Sequence, residues 1–168
     1  MNENMSIEGE SIIKNILVAT DGSDYVKTAI KLALEIAKSM GARVIALYVI
    51  DNSVFANFPK DELITDAMTV LENEGRRALD YVKEEGKKLG IEVVDVLAPG
   101  IPYEMIVKHA SKANCDLIVM GTMGRTKMDK LLLGSVAEKV IRHATCPVLA
   151  VRLKKTRLKK KRAYKTKE

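Results

Sequence analysis

Residues 11–153 predict an α/β domain built on an open parallel sheet, and three features carry that expectation. Five short aliphatic or β-branched runs alternate with four longer segments whose apolar residues recur at helical spacing. Most of the short runs lack the polar alternation of a one-sided sheet, as expected of strands covered by helices on both faces. After the fourth run stands the pattern G-x-x-G-(nine residues)-G-S, formed by Gly121, Gly124, Gly134 and Ser135. It joins a strand end to a helix start through a loop suited to an anion.

The first strand reads as Ile12-Ile13 and then Ile16-Leu17-Val18-Ala19, ended by the turn-forming Thr20-Asp21-Gly22-Ser23-Asp24. A helix is expected over residues 24–40, where Val26, Ala29, Ile30, Ala33, Ile36, Ala37 and Met40 share a face and Gly41 supplies the stop. Residues 44–50 form the second strand, and 51–59, with two Asn and both Phe, a loop. A long amphipathic helix covers 60–89, with Leu63, Ile64, Ala67, Met68, Leu71, Ala78, Leu79 and Val82 inward. Gly75 and Gly86 are candidate interruptions of it, and Gly90 is its end.

In the third strand, 91–98, Glu92 and Asp95 alternate with Val93, Val94 and Val96, which suits a sheet edge. A helix over 102–113 has Pro102 in its first turn, where the missing N–H costs nothing. The fourth strand is 116–120, the last helix 135–143 and the fifth strand 147–151. Right-handed crossovers join parallel strands in such an order. Ligands of these sheets bind beyond the strand C-terminal ends, where strand order reverses. The first and fourth strands are the candidates to flank that crevice, and Asp21 and the glycine loop lie at their ends.

The 168 residues suit one domain with a sizeable core, and hydrophobic residues at 47% with charged residues at 30% fit a globular protein. No apolar stretch approaches the roughly 20 residues that span a bilayer. Residues 1–10 are polar and acidic, unlike a secretory leader, so a flexible N-terminus and a cytoplasmic location are expected. The net charge of +6 is local. Residues 152–168 hold ten Lys or Arg against one Glu, and the 151 residues before them hold 18 basic and 21 acidic groups, a net of −3. The stretch 154–168 is expected to be a disordered basic tail. It is either a solubilising extension or an electrostatic grip on nucleic acid or an anionic membrane, and its one aromatic, Tyr164, offers little for base stacking.

Taken singly, Gly121 and Gly124 could be turn residues, Gly134 a loop glycine and Ser135 an N-cap. Taken together after a parallel strand, they point to phosphate. Glycines let backbone amides approach a ligand that side chains would hold off, and a helix starting at Ser135 aims its unpaired N–H groups and positive dipole end at an anion.

These residues resemble the universal stress protein family. The matching pieces are Val18-Ala19-Thr20-Asp21-Gly22-Ser23, Leu47-Tyr48-Val49-Ile50, Gly100-Ile101-Pro102, the glycine loop, and Cys146-Pro147-Val148-Leu149-Ala150-Val151-Arg152. The resemblance covers roughly residues 11–153. It implies a doubly wound, Rossmann-like sheet of the adenine nucleotide α-hydrolase-like kind in the order 3-2-1-4-5, and homodimers joined through the last strand. The intact glycine pattern is that of the ATP-binding branch. There, positions matching Asp21 contact ribose or a metal and those matching Val49 contact adenine. Met120 and Gly121 would lie along the nucleotide, with Met123, Gly124, Gly134, Ser135 and Val136 around sugar and phosphates. Ala19 and Thr20, leading into Asp21, and Arg125, within the loop, complete the candidate site. Ala19 and Met123 stand where some ATP-binding members carry Pro and His, and Ala137 replaces a hydroxyl.

The implied role is an ATP, ADP or AMP-dependent stress or signalling switch, with Mg²⁺ held partly by Asp21 through water and a protein partner of unknown identity. Each residue also has a plainer reading. Asp21 suits the turn it sits in, and one residue can do both jobs. Arg125 and Lys127 could be solvated loop charges. His109 and His143 lack partners at metal-ligand spacing. No Walker-type G-K-[ST] sequence is present, so ATP hydrolysis, if any, is expected to be slow. The rival reading is an interaction module that binds no nucleotide and acts through dimerisation or its tail. If the fourth and fifth strands are neighbours, as the resemblance implies, Cys115 and Cys146 start from adjacent positions about 4.8 Å apart. That suits a disulfide, whereas the cytosolic default is two reduced thiols.

Overall fold

A computed structural model describes residues 11–59, 61–124 and 133–152 of the chain. The N-terminal ten residues, Arg125, Lys127 and the basic tail, each given a role above, lie outside the described residues.

The elements are β1 (Asn15–Thr20), α1 (Lys27–Met40), β2 (Arg43–Ile50), α2 (Glu62–Lys88), β3 (Val93–Pro99), α3 (Pro102–Lys112), β4 (Leu117–Gly121), α4 (Ser135–His143) and β5 (Val148–Val151). The five strands form one parallel sheet in the order β3-β2-β1-β4-β5, the expected order. β1 is central, and Ile16, Leu17 and Val18 are wholly buried. Strand alternation splits the core in two. Ile16 and Val18 pack with Ala29, Ile30 and Ala33 of α1 and Leu79 and Val82 of α2. Leu17 and Ala19 pack with Ile106 and Ala110 of α3 and Ala137 and Val140 of α4. Among the described residues, no helix is long and apolar enough to cross a membrane.

Three sequence expectations need correction. The first strand starts at Asn15 and not at Ile12, whose side chain is 91% exposed. Its start is set by the Asp116 carboxylate, which accepts from the backbone N–H groups of Lys14 (2.8 Å) and Asn15 (2.9 Å). Those two bonds hold the Asp116 carboxyl below its ordinary range. A lowered folded value means the contribution is complete above the unfolded pKa of about 4 and fades as pH falls through the folded one. Asp116→Ala is expected to cost about 1–2 kcal/mol at pH 7, and the deficit should shrink below pH 4. Urea unfolding at pH 7 and pH 3 reads both, and an equal deficit at the two would contradict the assignment.

The second correction concerns α1, which starts at Lys27 because residues 23–26 still belong to a turn. Gly22 has φ +75°, and Val26 N–H donates to the Ser23 carbonyl (3.3 Å). The third is Leu63, expected on the inner face of α2 but 74% exposed; the helix itself is the single long one expected, running unbroken from its Asp61 cap through both glycines. A Cβ at residue 75 would come within 2.8 Å of the Tyr48 ring and 2.5 Å of Leu97, and one at residue 86 would collide with Val93. The glycines let the helix lie close on β2 and β3. β3 is an edge strand, as its alternation implied, with Val94 partly exposed.

Candidate functional site

β1 and β4 stay in register only from Ile16–Leu117 to Val18–Val119. β1 runs on beside β2 to Thr20 before the chain turns toward α1, and β4 ends at Gly121. A cavity of about 470 Å³ opens at these strand ends. Its walls gather the expected residues. β1 and its turn supply Ala19, Thr20 and Asp21, and β2 supplies Val49. Met120 and Gly121 come from the end of β4, with Met123 and Gly124 just after it. Gly134, Ser135 and Val136 come from the start of α4. All expected site residues among the described ones therefore meet in one place.

The turn after β1 is held by its own side chains. Thr20 Oγ1 accepts from Gly22 N–H (3.2 Å), and Asp21 Oδ1 accepts from both the N–H (3.0 Å) and the hydroxyl (2.7 Å) of Ser23. Asp21 thus does serve as a turn residue, through one oxygen. Its Oδ2 lies 3.1 Å from the place a Cβ on Gly124 would take, so the two loops face each other closely.

The N-cap of α4 is Gly134, at φ −75° and ψ 156°, and not Ser135, which is the first helical residue. Gly134 N–H donates to the Thr122 carbonyl at 2.7 Å, pinning the start of α4 to the end of β4. Gly134 itself supplies no side chain to cap the helix. The amides of Ser135, Val136 and Ala137 have no intrahelical acceptor, and the positive end of the helix dipole adds to them. All three residues line the cavity. Ile50, Val54, Leu71 and Ile106 give the same cavity an apolar lining, so it can take a ligand with a flat apolar part and an anionic tail.

Sequence reasoning overlooked several lining residues. Thr122 is buried within the motif itself and ties down α4 through its carbonyl. Asp51 carries a legible signal. It follows β2 as Asp21 follows β1, and each has a Ser two residues on; Asp51 Oδ1 accepts from Ser53 N–H at 3.0 Å and from its hydroxyl at 2.5 Å. Pro102 stood in the Gly100-Ile101-Pro102 match.

Among the described residues, no three His, Cys, Asp or Glu side chains could together hold a metal. A Mg²⁺ here would have to be carried by phosphate oxygens and water with one carboxylate, an arrangement this ion accepts. The donors present fit only that form. His109 and His143 are not in the cleft. His109 is half-buried on α3, and burial followed by the nearby Lys112 and Lys108 holds its pKa down. His143 Nδ1 lies 2.8 Å from the Lys139 carbonyl, and the ring sits 5.7 Å from that of Tyr103.

The family model described as the universal stress protein family matches residues 13–152. The chain is similar to universal stress protein MJ0531 of Methanocaldococcus jannaschii, at 44% identity over 147 residues, 86% of this chain and 85% of that protein. Among solved structures it is similar to universal stress protein UspA from Lactobacillus plantarum, with TM-score 0.73, 28% identity and coverage of 83% and 98% of the two chains. It is also similar to the universal stress protein from Archaeoglobus fulgidus solved in complex with dAMP, with TM-score 0.60, 26% identity and coverage of 84% and 99%.

Proposed function

The chain belongs to the universal stress protein family, and from that premise we propose that it is a cytoplasmic adenine-nucleotide-binding protein whose surface toward partners changes with occupancy. The observation that carries this reading is the convergence, at one cleft, of the first-turn amides of α4, which have no intrahelical acceptor, with three glycines at which a Cβ would be crowded. A Cβ would meet the Met123 carbonyl at Gly121, Asp21 at Gly124 and the Thr122 carbonyl at Gly134, each at 3.1 Å. The relative solved with dAMP supports the choice of an adenylate.

In this reading Ser135, Val136, Gly124 and Met123 hold the phosphates, with Arg125 as an added cation. Ala19, Thr20 and Asp21 face the ribose, and Asp21 reaches Mg²⁺ through water. Val49, with the apolar wall, receives the adenine, and Met120 and Gly121 lie along the ligand. ATP, ADP and AMP share the groups recognised. The two carboxylates of the described cleft, Asp21 and Asp51, are each engaged in a turn, so hydrolysis should be slow at most. β5 is an edge strand whose four residues are all half-buried, and we assign the homodimer contact to it.

Calorimetric titration with ATP, ADP and AMP, with and without Mg²⁺, tests the site. Micromolar affinity corresponds to about 8 kcal/mol. Ligand at 100 times Kd should add about 2.7 kcal/mol of stability, raising Tm by roughly 5–10 °C. No heat and an unmoved Tm at millimolar adenylate would remove the proposal and leave the interaction-module reading.

A further inference from the structure

β4 and β5 are parallel neighbours in register from Ile118–Val148 to Gly121–Val151, and each follows a cysteine. Strand alternation alone would turn Cys115 toward the α1–α2 layer, since Leu117 and Val119 face that way. The chain entering β4 breaks the alternation. Asn114 has φ +47°, and Cys115 N–H donates to the Ala110 carbonyl at the end of α3 (2.8 Å). Cys115 is thereby buried in the α3–α4 layer, and Cys146, half-buried, packs against the same cluster. The strand pairing continues down to this end, because Ile118 N–H donates to the Pro147 carbonyl (2.9 Å).

Carried one step further, the register sets Cys146 beside Asp116, one residue from Cys115. With strands about 4.8 Å apart and a rise of about 3.3 Å, the two Cα atoms come roughly 6 Å apart, inside the range a disulfide spans. The thiols also sense each other. Burial first, then Cys146 and Asp116, push Cys115 up to about 11, against a smaller opposing pull from Arg43. Burial and Asp116 raise Cys146 as well.

We propose that Cys115 and Cys146 form an oxidative modification site, closing to an intramolecular disulfide with a low-molecular-weight disulfide of the glutathione type as oxidant. The more accessible Cys146 reacts first. Its thiolate attacks one sulfur of the external disulfide, that S–S bond breaks, and one thiolate leaves. The Cys115 thiolate then attacks the Cys146 sulfur of the mixed disulfide and expels the second thiolate. The two protons lost by the cysteines end on the two released thiols, so the cysteines are oxidised as the external disulfide is reduced. The closed loop contains β4, the glycine motif and α4, the segment that bears the first-turn amides of the cleft. The site does not depend on what the cleft binds.

The test is incubation of the full chain with excess oxidised glutathione at pH 8.5, followed by thiol counting under denaturing, non-reducing conditions and by intact mass. The expected product has no free thiol, no attached glutathione and a mass lower by two hydrogens. Its Tm should be higher by roughly 7–15 °C, given a closed loop of about 30 residues. Cys115→Ser should stop at a stable mixed disulfide on Cys146. Two free thiols at equilibrium, a persistent mixed disulfide on the unsubstituted chain, or a covalent dimer would each overturn the proposal.

Discussion

Replacing Gly134 with valine is expected to weaken adenylate binding at least 100-fold, a loss of about 2.7 kcal/mol, with little change in stability. Gly134 sits at φ −75°, which any L-residue adopts, so the new side chain does not strain the backbone. What it changes is distance. Its Cβ would lie 3.1 Å from the Thr122 carbonyl, the acceptor that holds α4 against β4. The helix start must then move, and the amides of Ser135 and Val136 move with it. A displacement of a few tenths of an ångström spoils several short hydrogen bonds to one anion together. Gly124→Val should act from the opposite wall, by pushing on Asp21 Oδ2. Titration with ATP and a thermal melt without ligand separate binding from folding. Valine at both positions with parental affinity would show that the phosphates lie elsewhere.

Gly75→Val is expected to destabilise the fold by about 3 kcal/mol, the upper part of the overpacking range, and to lower Tm by roughly 6–12 °C. Of the atoms a Cβ would meet, the Leu97 methyl can rotate away, but the Tyr48 ring, only 4% exposed, has nowhere to go. β-branching adds a second group to the clash. Gly75→Ala should be milder, since alanine recovers about 1 kcal/mol of helix propensity while meeting the same ring. Denaturant unfolding of both variants gives the order, and a valine variant as stable as the parent would mean that α2 does not rest on β2 through this notch. Val49, the next residue after Tyr48, lines the cleft, so the valine variant should also bind adenylate less well.

The five strands and four helices were legible because each buried strand is a short aliphatic run and each helix repeats its apolar residues at 3.6 spacing. The ends were less legible. Ile12 and Ile13 look like strand residues, but the strand begins where the Asp116 carboxylate, about a hundred residues away in the chain, holds two amides. The two glycines of α2 illustrate the same difficulty. A local reading makes them breaks, and only the strands they touch reveal them as close contacts. At the cleft, the glycine motif and Asp21 were visible because their chemistry is local. Val54, Leu71 and Ile106 were not, since each is an ordinary apolar residue until the fold turns it toward the cavity. The start of α4 at Ser135 was legible, and only the plainer reading of Ser135 as its cap does not hold. Its hydroxyl makes it look like one, whereas the cap is the glycine that bonds Thr122.

The short registered seam between β1 and β4 also says where this molecule comes apart. Every strand through Pro99 lies on one side of that seam and every strand from Pro102 onward on the other, while α1 packs across it onto β4 and β5 and α3 packs across it onto β2. Cutting the chain at Gly100, a turn residue with φ +144°, therefore yields two pieces that each keep their own strands and helices. Three rungs of backbone pairing, the bonds between Asp116 and the Lys14–Asn15 backbone, and the packing of α1 and α3 across the seam must hold the pieces together. Because the cleft lies across the cut, a bound small molecule would bridge the fragments, and their reassembly would report on its presence.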